Sequence, residues 1–393
     1  MNANTSKKWY QRIKLPLGVS IAICALPVVM TGLFYALRSF PGVMGWASEH
    51  FSAPVRGFMG MLSSIYPLSI MEILCTAAGI WLIYYIIRSI MVTVRRRGKL
   101  KILGRRFLPV VVAAVYIYSL FCWLWSSGYH APGFAEKNGF TGGGVSVEDL
   151  TLVTRAFAEK ANELAPLMER DADGRYIGDR NTVFAASTEI YQDIAAVFPC
   201  LDGRLYAPKP MFFYSWLMSR TGYTGVYFAL TGESNVNIRM PIFLMPVTVA
   251  HELAHQLGVF AEDEASFVGI AACLSSGDPV YEYAGYLSGL MYLMNALFPV
   301  DWEAWGDIGG SLCEEVNRDW QDNHDYWQSQ KKVETGVGFL DRILTSVTTT
   351  VSDAVDVVYD GYLKSQNQEL GLRSYGACVD LLVEYYTSAL SQG

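Results

Sequence analysis

The chain is short of charge and of histidine. Asp, Glu, Lys and Arg make up only 17% of its 393 residues, hydrophobic residues make up 52%, and the mean hydropathy is +0.22. That balance excludes a disordered or collagen-like chain and argues against a wholly soluble protein. Acids are nearly absent from the first 125 residues, where Glu49 and Glu72 stand against 14 Lys and Arg. This front part carries +12 and the remainder −19, so the net −7 joins two objects suited to different solvents. No CxxC or Cys/His spacing suggests a structural zinc site, and there is no internal repeat or low-complexity tract. Cys24, Cys75 and Cys122 lie in apolar runs, where they act as small apolar residues. Cys200, Cys273, Cys313 and Cys378 lie beyond them, an even number that allows up to two disulfides or free thiols.

What the front part does have is three apolar runs. Residues 15–37, 70–94 and 107–125 each reach the roughly 20 residues that a helix needs to cross a bilayer. The first is too long for the apolar region of a cleavable signal peptide, and no small-x-small site follows it. Lys7, Lys8, Arg12 and Lys14 precede the first run, and Arg95, Arg96, Arg97, Lys99, Lys101, Arg105 and Arg106 separate the second from the third. The intervening connection has only Arg38 and Arg56. Basic segments stay on the cytoplasmic side, so the N-terminus is expected there and residues 126–393 outside. The basic loop is read as this topology signal and not as a nucleic-acid site. Glu72 is read as an interfacial residue that snorkels from a span end.

The expected domains are a membrane module at 1–127, a Gly-rich linker at 128–145 and a C-terminal domain at 146–393. Ser146 with Asp149 marks a helix start for residues 147–170, and residues 181–198 form a second helical pattern closed by Pro199. Short aromatic or β-branched runs at 211–214, 226–230 and 235–239 predict a small antiparallel sheet, with helices again after Pro246. The fold class is mainly α, with three transmembrane helices followed by an extracytoplasmic α+β domain.

Two of the five histidines frame a glutamate in His251-Glu252-Leu253-Ala254-His255. On a helix, positions i and i+4 share a face, so both imidazoles can hold one Zn²⁺, with Glu252 placed as general base. Pro246 suits the first turn of that helix and Gly258 its C-terminal stop. The apolar neighbours Val247, Val249, Ala250, Leu253, Ala254 and Leu257 argue that the pair is no surface decoration.

The run Glu262-Asp263-Glu264-Ala265-Ser266 resembles the glutamate-helix signature of the gluzincin metallopeptidases. The resemblance implies Glu262 as third metal ligand, with Glu264 as the alternative, and Ser266 as the residue that steadies the site from behind. Six residues separate His255 from Glu262, a shorter gap than is usual in gluzincins. The metzincin alternative fails, because its third histidine would fall at Ala261. Residues 231–237, Met245-Pro246, 251–256, 262–265, 281–293 and 374–386 also resemble an uncharacterised bacterial family of multi-span membrane proteins with an HExxH domain. That likeness implies a zincin-like domain, a zinc cofactor and the bacterial cytoplasmic membrane, but no substrate.

The resulting expectation is a membrane-anchored zinc metallohydrolase that cleaves peptide bonds of a peptide or protein outside the membrane. Its partners are the lipid bilayer and that substrate, with no nucleic acid. The alternative is a non-catalytic sensor or assembly protein retaining the fold. A strand edge within 226–239 is the candidate for pairing with substrate backbone. No oxyanion donor stands out among His130, His324, Tyr283, Tyr286 and Tyr375. The basic-residue asymmetry predicts that a reporter fused after residue 130 works only when exported, and one fused at 95–106 only in the cytoplasm. Protease protection of the C-terminal domain in intact spheroplasts would contradict this.

Overall fold

The computed structural model describes residues 16–94, 99–141, 144–331, 338–366 and 374–390, without the side chains of 99–103, 338–344, 347 and 374–377. The basic residues at 7–14 and 95–97 lie outside this description. Three helices are long and apolar enough to cross a membrane, Leu17–Leu37, Ile70–Val94 and Gly104–Ser126. The third is an α-helix to Phe121 that continues as a π turn over Cys122–Ser126. Hydrogen bonds from side chain to backbone tie the spans together. Tyr116 donates to the Ile23 carbonyl at 2.8 Å, Trp123 to Met30 at 2.9 Å and Tyr85 to Arg106 at 2.8 Å. In hydrocarbon such polar tips have few other partners.

The connection between the first two spans folds as helices Pro41–Ala47 and Ala53–Ser63 and packs against the C-terminal domain. The two parts are held by carboxylates. Glu233 accepts the first amides of the second span, Ile70 and Met71, each at 2.9 Å. Acids at a helix N-terminus satisfy otherwise orphaned N–H groups and complement the dipole. In the other direction Glu72 accepts from the amides of Phe212, Phe213 and Tyr214 at 3.0, 2.6 and 2.7 Å. Glu72 is therefore buried under residues 212–214 instead of snorkelling to the interface.

The segment expected as a linker is largely built into the fold. Gly128, His130 and Phe134 are buried, and residues 134–137 form a helical turn. The two N-terminal helical patterns are shorter than expected. Val147–Leu164 stops where Pro166 removes an amide donor, and the second divides into Arg180–Ala186 and Gln192–Val197.

The sheet is mixed, where an antiparallel one was expected. Strands β1 (Lys209–Met211), β2 (Gly225–Phe228) and β3 (Glu233–Asn237) take the order β1-β3-β2. β2 pairs antiparallel with β3 as a hairpin, whereas β1 runs parallel to β3. The helix Ser215–Thr221 carries the chain across between β1 and β2, which permits the parallel pairing. Residues 212–214 leave the strand because their amides serve Glu72.

Around the sheet, helices Val147–Leu164, Met245–Gln256, Glu262–Leu274, Pro279–Leu297 and Ser374–Leu390 enclose a core that includes Phe157, Leu253, Phe267, Ile270 and Leu287. Fully buried Asp319 lies within it, taking two bonds from Arg170 at 2.9 and 2.8 Å and one from Tyr283 at 2.5 Å. All seven cysteines are free thiols. Removing one partner of a buried ion pair leaves the other charge uncompensated, which costs about 3–5 kcal/mol. Asp319→Ala should therefore lower the melting temperature of the detergent-solubilised chain sharply, as read by circular dichroism.

Candidate metal centre

Pro246 opens the helix Met245–Gln256 within its first turn, and Gly258, at φ +90°, reverses the chain just after it. A positive φ is costly for residues with a Cβ. The short turn that results starts a new helix at Glu262 and folds it back against the first. The reversal brings three side chains together. Glu262 Oε2 lies 3.2 Å from His251 Nε2 and 3.6 Å from His255 Nε2. One ligand atom from each of the three residues lies within 4.8 Å of the other two.

Each member has a further contact. His255 Nδ1 meets the Val259 carbonyl at 2.7 Å. A carbonyl only accepts, so Nδ1 carries the proton and Nε2 faces Glu262. Ser266 Oγ stands 3.4 Å from His251 Nδ1. The other carboxylate oxygen of Glu262, Oε1, accepts from the Tyr359 hydroxyl at 2.6 Å. Glu264, on the opposite side of its helix, accepts from the amides of Phe134 and Ala135 at 2.9 Å each. Residues two positions apart on an α-helix are separated by about 200° of rotation, so the two glutamates cannot share a target.

Burial governs the electrostatics. It depresses the basicity of His251. Burial acts the same way on His255, but the Glu262 carboxylate outweighs it and holds His255 above its ordinary value. For Glu262, burial opposes ionisation, yet His255 and His251 keep it well below the usual carboxylate range. For Glu252, burial outweighs the opposing attraction of His255. Burial pushes its carboxyl up to about 8, and its Oε2 has no hydrogen-bond partner among the described residues. Its backbone is held by Ser234, which donates to the Glu252 carbonyl at 2.7 Å. Gly225 of β2 lies directly against its carboxylate, and a Cβ there would collide with it.

The membrane module contributes to this centre. Arg56, from the helix Ala53–Ser63, donates to the His255 carbonyl at 3.2 Å and lies over the Phe260 ring. A cation at a helix C-terminus is favoured by the free carbonyls and the dipole. Trp125, at the end of the third span, meets the His255 ring edge-on at 5.4 Å. On the other side of His251 and Glu252 is a cavity of about 500 Å³, bounded by Tyr223–Gly225, Leu244, Val247, Ile270, Met291, Tyr292 and Asp356.

Of the residues weighed as oxyanion donors, none described stands at the cluster. His130 packs on Phe34, Tyr283 binds Asp319, Tyr286 packs on Phe157, and His324 is exposed. The side chain of Tyr375 lies outside the described residues. Tyr359, Arg56 and Trp125 were missed, because nothing in local sequence links positions 97, 199 and 130 residues away from their partners.

The fold and site define a mainly helical protein with three helices fit to cross a membrane and a buried His-His-Glu cluster beside them. The chain belongs to a family described as a protein of unknown function, DUF3810, which it matches over residues 48–383. That stretch includes the second and third spans, Arg56, Tyr359 and the whole cluster. No curated protein and no solved structure matches it.

Because Glu264 holds the amides of Phe134 and Ala135, Glu264→Ala should destabilise the fold by about 1–3 kcal/mol. The check is a thermal melt beside Glu136→Ala on the adjoining helical turn, which should melt like wild type.

Proposed function

We propose that this protein is a membrane-anchored zinc metallohydrolase, a peptidase in its chemistry, with His251, His255 and Glu262 as metal ligands and Glu252 as general base. The observation that carries the reading is the convergence of two imidazoles and one carboxylate on a common point. Zinc–ligand bonds of 2.0–2.1 Å at tetrahedral angles put ligand atoms about 3.3 Å apart. The spacings of 3.2 and 3.6 Å between Glu262 and the two histidines fit that requirement. Two neutral imidazoles and one carboxylate are also a donor set suited to catalytic zinc.

A zinc ion held here would polarise a scissile carbonyl and make water acidic enough to deprotonate near neutral pH. The protein's own groups do the rest. Glu252 accepts the proton of the attacking water and delivers it to the leaving amine as the C–N bond breaks. Gly225 keeps space for its carboxylate, and Ser234 fixes its backbone. Tyr359 holds Glu262 through Oε1 and so leaves Oε2 directed at the histidines. Polar partners behind a ligand orient it, and their loss typically weakens metal binding 10–100-fold. The edge strand β2 borders the cavity at Gly225 and can pair with an extended peptide. The contact between His255 and Trp125 supports a substrate presented close to the membrane surface. The Lys and Arg asymmetry supports a site outside the cytoplasm.

Zinc titration of the solubilised full chain tests the ligand set. Wild type should bind one zinc, Glu262→Ala should lose it, Glu264→Ala should retain it, and Tyr359→Phe should bind about 10–100-fold more weakly. No zinc in wild type, or tight binding by Glu262→Ala, would refute the assignment. In a screen of peptide substrates, Glu252→Gln should keep zinc while losing hydrolysis. Full activity in that variant would remove Glu252 as base.

A further inference from the structure

Two uncharged stretches flank the outer end of the second span. Residues 57–71 and 210–219 contain no Asp, Glu, Lys or Arg. The structure brings them side by side. Glu72 takes the amides of Phe212, Phe213 and Tyr214, and the Tyr214 hydroxyl meets Thr76 Oγ1 at 3.0 Å. Lys209 reaches the Tyr66 carbonyl from the strand just before. Residues 212–214 therefore run alongside the span at the level of Glu72 to Thr76, where its own exposed apolar side chains, Ile73 and Leu74, begin.

The backbone of this loop is satisfied, but its side chains are not covered. Phe212 is 54% exposed and Phe213 71%, and Trp216 is also exposed. From the neighbouring stretch, Ile65 is 70% exposed and Tyr66 60%. Together they make an apolar rim beside the apolar surface of the span, and the charged residues between, Glu72 and Lys209, are buried. Exposed apolar patches of this kind mark an interaction surface. Aromatic side chains are favoured at the boundary between headgroups and acyl chains. Backbone amides in hydrocarbon need an internal acceptor, which explains why a carboxylate at the span end is aimed at three of them.

We infer that residues 212–217, with Ile65 and Tyr66 beside them, form a wedge inserted into the lipid at the end of the second span. The C-terminal domain thus enters the bilayer through its own loop, separately from the three spanning helices. The occupant is lipid, because the rim continues the lipid-facing surface of the span at the same depth. The inference does not depend on the zinc reading, since none of these residues touches the cluster.

The test uses the full chain reconstituted in phosphatidylcholine vesicles, with p-benzoylphenylalanine replacing Phe213. A second sample carries it in place of Lys160, which is half exposed on Val147–Leu164 and pairs with Glu163. After irradiation, mass spectrometry should find phosphatidylcholine adducts at position 213 and none above background at 160. Adducts at 213 only to protein, whether a second copy or another chain, would overturn the inference. So would equal lipid labelling at both positions or none at either. Repeating the experiment at position 212 guards against loss of folding at 213, and the same outcomes decide it.

Discussion

Buried carboxylates organise this molecule, because each must find enough hydrogen-bond donors to offset its loss of water. Glu72, Glu233 and Glu264 find backbone amides, and in doing so each pins a remote segment in place. Glu233 and Glu72 work in opposite directions across the same junction. One caps the second span with a residue of the sheet, and the other holds the loop after β1 with a residue of the span. Glu262 is different. Its partners are two imidazoles and a phenol, side chains that can exchange a proton or give up a site to a metal. The same physical demand therefore yields scaffolding at three glutamates and a His-His-Glu cluster at the fourth.

Glu252 departs from the rule. It is as deeply buried as the others, yet one of its oxygens lacks a partner among the described residues, and burial raises its proton affinity. A side chain kept in that condition costs stability, and groups so perturbed concentrate where chemistry is done. The glycine in β2 and the serine in β3 that surround it show that the sheet serves this residue as well as the core.

The membrane module and the C-terminal domain are expected from sequence as separate objects, yet the centre draws on both. Arg56 caps the end of the histidine helix, and Trp125 packs against His255. The cluster consequently sits near the end of the third span, at a fixed height over it. A loose linker at 128–145 would have allowed the domain to drift, whereas Phe134 and Ala135 are anchored by Glu264.

The sequence by itself determined what depends on local periodicity and composition. The three apolar runs, the helix bearing His251, Glu252 and His255, and the stop at Gly258 all follow from residues that are near neighbours. The choice of Glu262 over Glu264 as the acid facing the histidines was open in the linear pattern, and the packing of the second helix against the first decided it. The parallel pairing of β1, the burial of Glu72 and the approach of Tyr359 were out of reach of the sequence for one reason. Each depends on a partner roughly 25 to 140 residues away, and no local propensity encodes which remote donor a buried carboxylate or strand edge will meet. Tertiary packing alone supplied those partners.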